Sequence, residues 1–215
     1  MCVDFFNQIC RQWDETSKPD ADKITFLLEK LSWSVSNRVL DVGTGTGVLL
    51  PFIRQFSSQS YIQAIDIAAG MIEIAQKKYA GWEKVDWYVA DIEQPTERGK
   101  FDQIILYSVF PHLTDKTGTV SYLINHCLTD EGELLIAHAQ SRRFLNHLHK
   151  HKDKRVCNDS LIAIEKQCTI FEREGLGIID ADESNQYYYI VLGKSYANST
   201  TVMPAPPNCT CSSWK

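Results

Sequence analysis

The stretch RVLDVGTGTGVLLPF, residues 38–52, decides the fold. A short run of β-forming residues reaches Asp41, three glycines follow at alternate positions, and an apolar helical pattern comes after them. Glycine lets a backbone turn sharply and come close to a ligand, and the N-terminus of the following helix favours a negative group. The stretch therefore predicts a strand, a ligand-binding loop and a helix at the start of an open parallel sheet.

Strand and helix patterns alternate beyond this stretch. Apolar runs predict strands at residues 61–66, 85–89, 103–107 and 134–137, with helices at 48–56, 69–79 and 160–174. Two closing strands, residues 176–181 and 187–192, are joined by turn residues that indicate a hairpin. This order predicts an α/β fold, a Rossmann-like, seven-stranded, mostly parallel sheet with helices on both faces and an antiparallel C-terminal hairpin.

Length and composition suggest the domain organisation. The 215 residues suit one α/β domain with additions. We expect cap helices in residues 1–34, a core in 35–194, and a disordered tail in 195–215, which is rich in Ser, Thr, Asn and Pro. No signal peptide is apparent, and no apolar run approaches the ~20 residues of a membrane helix. We therefore expect a cytoplasmic protein without a membrane span, and the seven scattered cysteines fit reduced thiols.

Charge and histidine spacing bear on the partners. A net charge of −5 without a long basic block makes nucleic acid an unfavoured partner, so we expect a small-molecule substrate and leave the oligomeric state open. Four histidines, His138, His147, His149 and His151, raise metal binding as an alternative. No cysteine joins them at ligand spacing, and a solvated basic helix explains them better, so we expect no metal.

The glycine spacing distinguishes two kinds of cofactor. Gly43, Gly45 and Gly47 form GxGxG, whereas the dinucleotide fingerprint is GxGxxG, and Val48 stands where its third glycine belongs. An NAD-type oxidoreductase is therefore the weaker alternative. Asp66 ends the second strand about 20 residues on, where a carboxylate can accept hydrogen bonds from ribose hydroxyls or cap the next helix.

A further acidic residue, Asp91, follows the third strand. Its carboxylate can accept a hydrogen bond from the amine of an adenine, with Ile92 packing on the adenine ring. Alternatively, Asp91 serves as a turn residue. Near the N-terminus, Phe5, Phe6 and Trp13 can cover a cofactor or belong to the core, and the two interpretations are compatible.

Together these features resemble the class I S-adenosylmethionine-dependent methyltransferases over residues 5–193. The resemblance implies S-adenosylmethionine as the cofactor, with Asp41 and the glycine loop on its methionine part, Asp66 on the ribose, and Asp91 with Ile92 on the adenine. The resemblance predicts that the following residues bind the cofactor: Trp13, Asp41, Gly43, Thr44, Gly45, Gly47, Asp66, Ile67, Met71, Asp91, Ile92 and Tyr107.

The segment after the fourth strand, YSVFPHLTDK, offers candidates beside the methyl donor. It lacks the Asn/Asp-Pro-Pro-Tyr/Phe motif of base-modifying amine methyltransferases, which disfavours methylation of nucleic-acid bases. His112 and His138 are candidate general bases, because a positioned imidazole can take a proton from a protonated nucleophile. A satisfied structural histidine is the alternative for each.

The segment after the fifth strand is similar to a small methyltransferase group with a His-x-x-Ser-Arg…Asn-x-x-His pattern, matched here by His138, Ser141, Arg142, Asn146 and His149. In a helix, the last three share one face at i, i+4 and i+7, and Arg can hold a carboxylate bidentately. A solvated basic helix is the alternative. The predicted catalytic residues are His112, His138 and His149, and the predicted substrate-binding residues are Phe110, Arg142 and Asn146.

The sequence thus predicts an enzyme that transfers a methyl group from S-adenosylmethionine to a small-molecule acceptor. Two other classes stay open at this point. One is an NAD-type oxidoreductase, and the other is a cofactor-binding regulatory or partner subunit without catalysis.

Overall fold

A computed structural model describes residues 3–16, 18–152 and 159–195, without the side chains of residues 151 and 152. Apart from Ser195, the predicted tail at 195–215 lies outside these residues. The side chain of His151, which raised the metal-binding alternative, also lies outside them.

Seven strands form one sheet in the order β3-β2-β1-β4-β5-β7-β6. The strands are β1 (Arg38–Val42), β2 (Tyr61–Asp66), β3 (Val85–Val89), β4 (Phe101–Tyr107), β5 (Leu128–His138), β6 (Gly177–Glu183) and β7 (Tyr188–Gly193). β7 runs antiparallel to its neighbours β5 and β6, whereas the other paired strands are parallel. The predicted mostly parallel sheet with a closing hairpin is confirmed.

Helices cover both faces of the sheet. They are α1 (Val3–Ile9), α2 (Trp13–Thr16), α3 (Ala21–Leu28), α4 (Leu50–Phe56), α5 (Ala69–Lys78), α6 (Lys116–Tyr122), α7 (Arg142–Lys152) and α8 (Ile164–Arg173). A 3₁₀ turn, Cys10–Gln12, links α1 to α2. One hydrophobic cluster joins the sheet to α6 and α8, and a second joins its other face to α3 and α4.

The central strands are buried on both sides, which explains their continuous apolar runs. In β1, Leu40 and Val42 point into one cluster and Val39 into the other. In β4, Ile104 and Ile105 divide in the same way. All five are at most 1% exposed. Successive side chains alternate between the faces of a pleated strand, so a strand between two helical layers needs apolar residues at every position.

Several element boundaries differ from the sequence-based prediction. The helix predicted at 48–56 begins at Leu50, with Pro51 in its first turn, where the fixed φ of proline is suited. The helix predicted at 160–174 begins only at Ile164. The strand predicted at 134–137 extends over Leu128–His138, because a register shift in β4 lets Phe101 pair with Leu128.

The chain order places a crevice at the carboxyl ends of β1 and β4. From β1 the chain moves outward to β2 and β3, and then returns to pair β4 on the opposite side of β1. Ligands of open α/β sheets bind at such a reversal of strand order. The glycine loop, Asp66, His112 and His138 all follow or end strands at this edge.

Candidate active site

A cavity of about 620 Å³ lies at this edge of the sheet. Most of the residues predicted to bind the cofactor line it, together with the three predicted catalytic histidines. The lining members of the predicted cofactor set are Trp13, Gly43, Thr44, Gly45, Asp66, Ile67, Met71, Ile92 and Tyr107. The structure therefore brings the glycine loop and the histidines to one enclosed space.

The carboxylate of Asp66 is fixed by backbone amides. The Gly45 N–H donates to its Oδ2 at 2.9 Å, and the Ala68 N–H donates to its Oδ1 at 2.8 Å. Burial raises the pKa of Asp66, although the hydrogen bonds from Ala68 and Gly45 act in the opposite direction. The side chain thus contacts the start of α5 and also faces the cavity, which combines the two roles considered from the sequence.

The three glycines of the loop have different structural roles. A Cβ on Gly43 would lie 2.6 Å from Val109 Cγ2, and one on Gly47 would lie 2.6 Å from the Tyr79 ring. Gly45 has φ +57°, and a Cβ there would find only Trp13 Nε1, at 3.8 Å. Gly43 and Gly47 are therefore needed for close packing, whereas Gly45 keeps the cavity wall free of a side chain. Gly47 itself does not line the cavity.

Asp41 lies beneath the glycine loop and does not line the cavity. It is 1% exposed, and the Thr44 hydroxyl donates to its Oδ2 at 2.6 Å. Burial raises the pKa of Asp41 to about 7; the Thr44 hydrogen bond lowers it, and the charge of Asp66 adds to the rise. Its contact with the methionine part of the cofactor remains a prediction.

The raised pKa of Asp41 predicts a pH-dependent stability that Asp41→Asn should remove. Between about pH 4 and pH 7 the folded chain holds a proton on this carboxyl that the unfolded chain has lost. Stability therefore falls as the pH rises through this window. The unfolding free energy of Asp41→Asn, relative to wild type, should rise by about 4 kcal/mol from pH 4 to pH 7, at about 1.4 kcal/mol per pH unit.

Urea denaturation of both proteins across this range measures the difference. Other titrating groups, including His138, are shared by the two proteins, so the contributions of those that do not interact with Asp41 cancel in the comparison. Parallel stability curves would show that Asp41 ionises normally in the folded chain.

The region expected to hold the adenine is only partly at the cavity. Ile92 is 4% exposed and lines the wall. The Asp91 side chain instead accepts from the Glu93 N–H at 2.9 Å and does not line the cavity. This contact corresponds to the turn role that the sequence left open for Asp91.

The N-terminal helices close the cavity from the other side. Phe5, Phe6 and Trp13 all line the cavity. Phe5 is only 6% exposed and therefore also belongs to the buried core. Asp14 of α2 accepts from the Thr46 hydroxyl of the loop and from the Lys78 ammonium at 2.9 Å. These aromatic side chains are therefore both packed and part of the cavity wall.

Three histidines from separate elements meet at the cavity. His112 follows β4, His138 ends β5 and His149 lies on α7. The rings of His112 and His149 have centroids 5.0 Å apart. His112 Nδ1 lies 2.6 Å from Asp159 Oδ2, and His149 Nδ1 lies 2.7 Å from the Asp159 carbonyl oxygen. The predicted catalytic histidines therefore form one cluster.

The imidazole of His138 differs from the other two. It is 1% exposed, and neither ring nitrogen has a hydrogen-bond partner among the described residues. Burial, followed by the charges of His112 and His149, lowers the pKa of His138 to about 3. This ring is therefore neutral near pH 7.

None of the three predicted substrate-binding residues lines the cavity, and their contact with an acceptor stays a prediction. Phe110 is 1% exposed and packs edge-on against Phe171. The Arg142 Nε donates to Glu183 Oε2 at 2.8 Å, and its other contacts go to the same carboxylate. Asn146 hydrogen-bonds the backbone of Leu161.

On the face of α7 that was expected to bind the acceptor, Arg142 and Asn146 thus make their hydrogen bonds to other parts of the chain. Only His149 of that face reaches the cavity. Sequence reasoning also missed Asp159, because nothing in its spacing connects it with His112.

Residues 3–16, 18–152 and 159–195 contain neither a group of metal ligands nor a membrane-spanning helix. In these ranges, no group of three or more His, Cys, Asp or Glu is arranged to hold a metal ion. Over the same residues, no helix has both the length and the apolar character to cross a membrane.

Comparisons of sequence identify a known domain. Residues 39–132 match the family model described as a methyltransferase domain. The malonyl-[acyl-carrier protein] O-methyltransferase of Acetivibrio thermocellus is 32% identical over 127 residues, which is 58% of this chain and 44% of that protein. The chain also spans less than half of the enzymes of the same name from Anoxybacillus flavithermus and Bacillus cereus.

Comparisons of structure identify the fold. A chain in the complex between the Haloferax volcanii Trm112 methyltransferase activator and a methyltransferase has a TM-score of 0.73, covering 89% of this chain and 98% of that one at 14% identity. The DhpI–SAH complex has a TM-score of 0.70, covering 90% and 95% at 15% identity. With the domain match, this likeness confirms the predicted fold class and favours a methyltransferase over the NAD-type alternative.

Proposed function

We propose that this chain is a class I S-adenosylmethionine-dependent methyltransferase and that it methylates a small-molecule acceptor. The observation that carries the proposal is the single cavity in which a glycine loop and a fixed carboxylate face a cluster of histidines. A cofactor-binding subunit without catalysis would need only the first half of this arrangement.

The loop side of the cavity fits the cofactor. Gly45 leaves space where a Cβ would project, and Asp66 offers a buried carboxylate whose orientation is fixed by two amides. Gly43, Gly45 and Asp66 would hold the polar parts of the molecule, with Met71 and Ile92 against its apolar surfaces. When bound, S-adenosylmethionine supplies a methyl group activated by a sulfonium.

The chain's own residues then have three tasks. The loop and Asp66 orient the donor against the acceptor, and alignment of this kind supplies about 7–11 kcal/mol in favourable cases. Phe5, Phe6 and Trp13 limit the entry of water. His112 takes the proton of an acceptor that arrives protonated, while the neutral ring of His138 donates or accepts a hydrogen bond at the cavity wall.

Asp66→Asn should weaken cofactor binding by roughly 10–150-fold, because hydrogen bonds to a charged group contribute about 1.5–3 kcal/mol. The amide offers one oxygen where the carboxylate offers two, so either the Gly45 or the Ala68 N–H also loses its acceptor. Titration calorimetry with S-adenosylhomocysteine measures the change. Asp86→Asn is the matched control, since Asp86 contacts Tyr61 and does not line the cavity. Wild-type affinity in a folded Asp66→Asn would remove this residue from the cofactor site.

Turnover decides between an enzyme and a binding subunit. The protein would be incubated with radiolabelled S-adenosylmethionine and panels of hydroxyl compounds, amines, thiols and carboxylic acids. We expect a labelled small molecule as product. Tight cofactor binding without transfer to any panel member would favour the non-catalytic partner subunit.

The names of the relatives favour a second candidate, methylation of a carboxylate carried on an acyl carrier protein. Its support is sequence identity over part of the chain, whereas Arg142, the cation predicted to hold a carboxylate, is paired with Glu183. We propose the cytoplasm as the location, supported by free thiols at Cys10, Cys127 and Cys168.

A further inference from the structure

We infer that Asp159 is a positioning residue that fixes the tautomer of His112, so that Nε2 faces the cavity as a proton acceptor and the site fits a hydroxyl acceptor. The catalytic consequence rests on the proposed function. The tautomer itself can be tested without any turnover.

The geometry of the pair determines which nitrogen carries the proton. Asp159 Oδ2 lies 2.6 Å from His112 Nδ1. An ionised carboxylate only accepts hydrogen bonds, so the neutral imidazole must hold its proton on Nδ1. Nε2 then carries the lone pair, since the hydrogen bond that the described residues make to this ring is at Nδ1. Because His112 lines the cavity, this nitrogen is the one available to an acceptor.

Two aromatic neighbours hold the plane of the His112 ring. Phe6 packs against it edge-on at 5.3 Å between centroids, and His149 packs tilted at 5.0 Å. A carboxylate on one ring edge and two packed neighbours leave the ring little freedom to rotate. Its basic nitrogen is therefore fixed in direction before any ligand binds.

Asp159 is itself held by the α7 face that the sequence pattern selected. His149 Nδ1 donates to the Asp159 carbonyl oxygen at 2.7 Å. Asn146 Nδ2 donates to the Leu161 carbonyl at 2.8 Å, and the Leu161 N–H donates to Asn146 Oδ1 at 2.9 Å. We call residues 159–161 the aspartate strap. Asn146 and His149 thus fix the strap, and the strap fixes His112.

The charged groups around the pair are few. The Lys116 ammonium donates to the Leu113 carbonyl at 2.9 Å, and burial lowers the pKa of Lys116 while the charges of Asp159 and Glu93 raise it. On the cavity side, His138 and His149 lie beside His112, and the wall further away carries three aspartates and two lysines. The cation is hydrogen-bonded elsewhere, which leaves Asp159 Oδ2 to the imidazole.

This arrangement suits an acceptor that arrives with its proton. A hydroxyl group with a pKa near 10 is protonated at neutral pH and needs a base, whereas a carboxylate is already ionised. The acceptor oxygen forms the new C–O bond as its proton passes to Nε2, and the methyl–sulfur bond breaks with the electron pair left on sulfur. The cavity wall also carries Asp14, Asp20 and Asp66 against Lys18 and Lys78, so it offers no net positive charge for a carboxylate.

Nitrogen NMR of ¹⁵N-histidine-labelled protein reports the tautomer directly. At a pH where the ring is neutral, His112 of the wild type should be the Nδ1–H form, with its signals assigned by their loss in His112→Gln. Asp159→Ala should convert most of it to the Nε2–H form, while Asp159→Asn keeps Nδ1–H because its amide oxygen still accepts. Asn146→Ala should shift the population in the same direction as Asp159→Ala, since it releases the strap.

Asp22→Ala, on the exposed start of α3, is the control and should leave the His112 signals unchanged. Calorimetry with S-adenosylhomocysteine checks that each variant is folded. An Nε2–H ring in the wild type, or the same Nδ1–H ring in Asp159→Ala and Asn146→Ala, would overturn the positioning role.

Matched phenols and benzoates test the acceptor class. Transfer to phenols should exceed transfer to benzoates at least tenfold, and Asp159→Ala should reduce the phenol rate about 10–100-fold and flatten its rise with pH, part of the 10²–10⁴-fold that a general base contributes. Faster transfer to benzoates would overturn the hydroxyl assignment. No transfer to any compound would count against the proposed function, while the tautomer measurement would still decide the role of Asp159.

Discussion

His112→Gln should lower methyl transfer by roughly 10²–10⁴-fold and leave the affinity for S-adenosylhomocysteine within about twofold of wild type. Glutamine preserves a polar side chain beside Asp159 but has no nitrogen that can take up a proton. The cofactor side of the cavity, built from the glycine loop and Asp66, keeps its own contacts. The variant therefore separates proton transfer from cofactor binding.

The matched control for this variant is His126→Gln. His126 is exposed and stacks on Tyr122, away from the cavity. It should retain the wild-type rate, which single-turnover assays with the accepted hydroxyl compound would measure. A full rate in His112→Gln would make His112 a structural histidine, the alternative that the sequence left open.

Gly45→Val should weaken cofactor binding by more than ~100-fold, which corresponds to about 2.7 kcal/mol. Two effects add. Gly45 has φ +57°, where a β-branched residue is strained by about 1–3 kcal/mol. The valine side chain would also project into the cavity from a wall where the nearest atom to a Cβ is Trp13 Nε1, at 3.8 Å.

Gly81→Val separates these two effects. Gly81 has φ +88°, and a Cβ there would meet nothing within 4 Å. The control should lose stability in urea denaturation without losing affinity for S-adenosylhomocysteine. If folded Gly45→Val binds that product as tightly as wild type, the glycine loop is not the cofactor site.

The contrast between the two ends of the cavity shows which inferences from sequence succeed. Around the glycine loop, strand, turn and helix are consecutive in the chain, so spacing alone placed Gly43, Gly45 and Asp66 at one edge of the sheet. On the acceptor side, helical spacing correctly put Arg142, Asn146 and His149 on one face of α7. It could not tell that Arg142 would meet Glu183, 41 residues away, or that Asn146 would bind the backbone of Leu161.

The sequence by itself determined the alternation of strands and helices along the chain and the parallel sheet with its closing hairpin. It also determined the edge of the sheet at which the glycine loop lies. These follow from periodicity and from glycines at turns, which act over a few neighbouring residues. Only the tertiary structure decided that Asp159, 47 residues from His112, would hold its Nδ1, and that His138 would be buried with a pKa lowered to about 3. Proton placement and pKa depend on burial and on partners distant in the chain, and these exist only once the sheet and helices have packed.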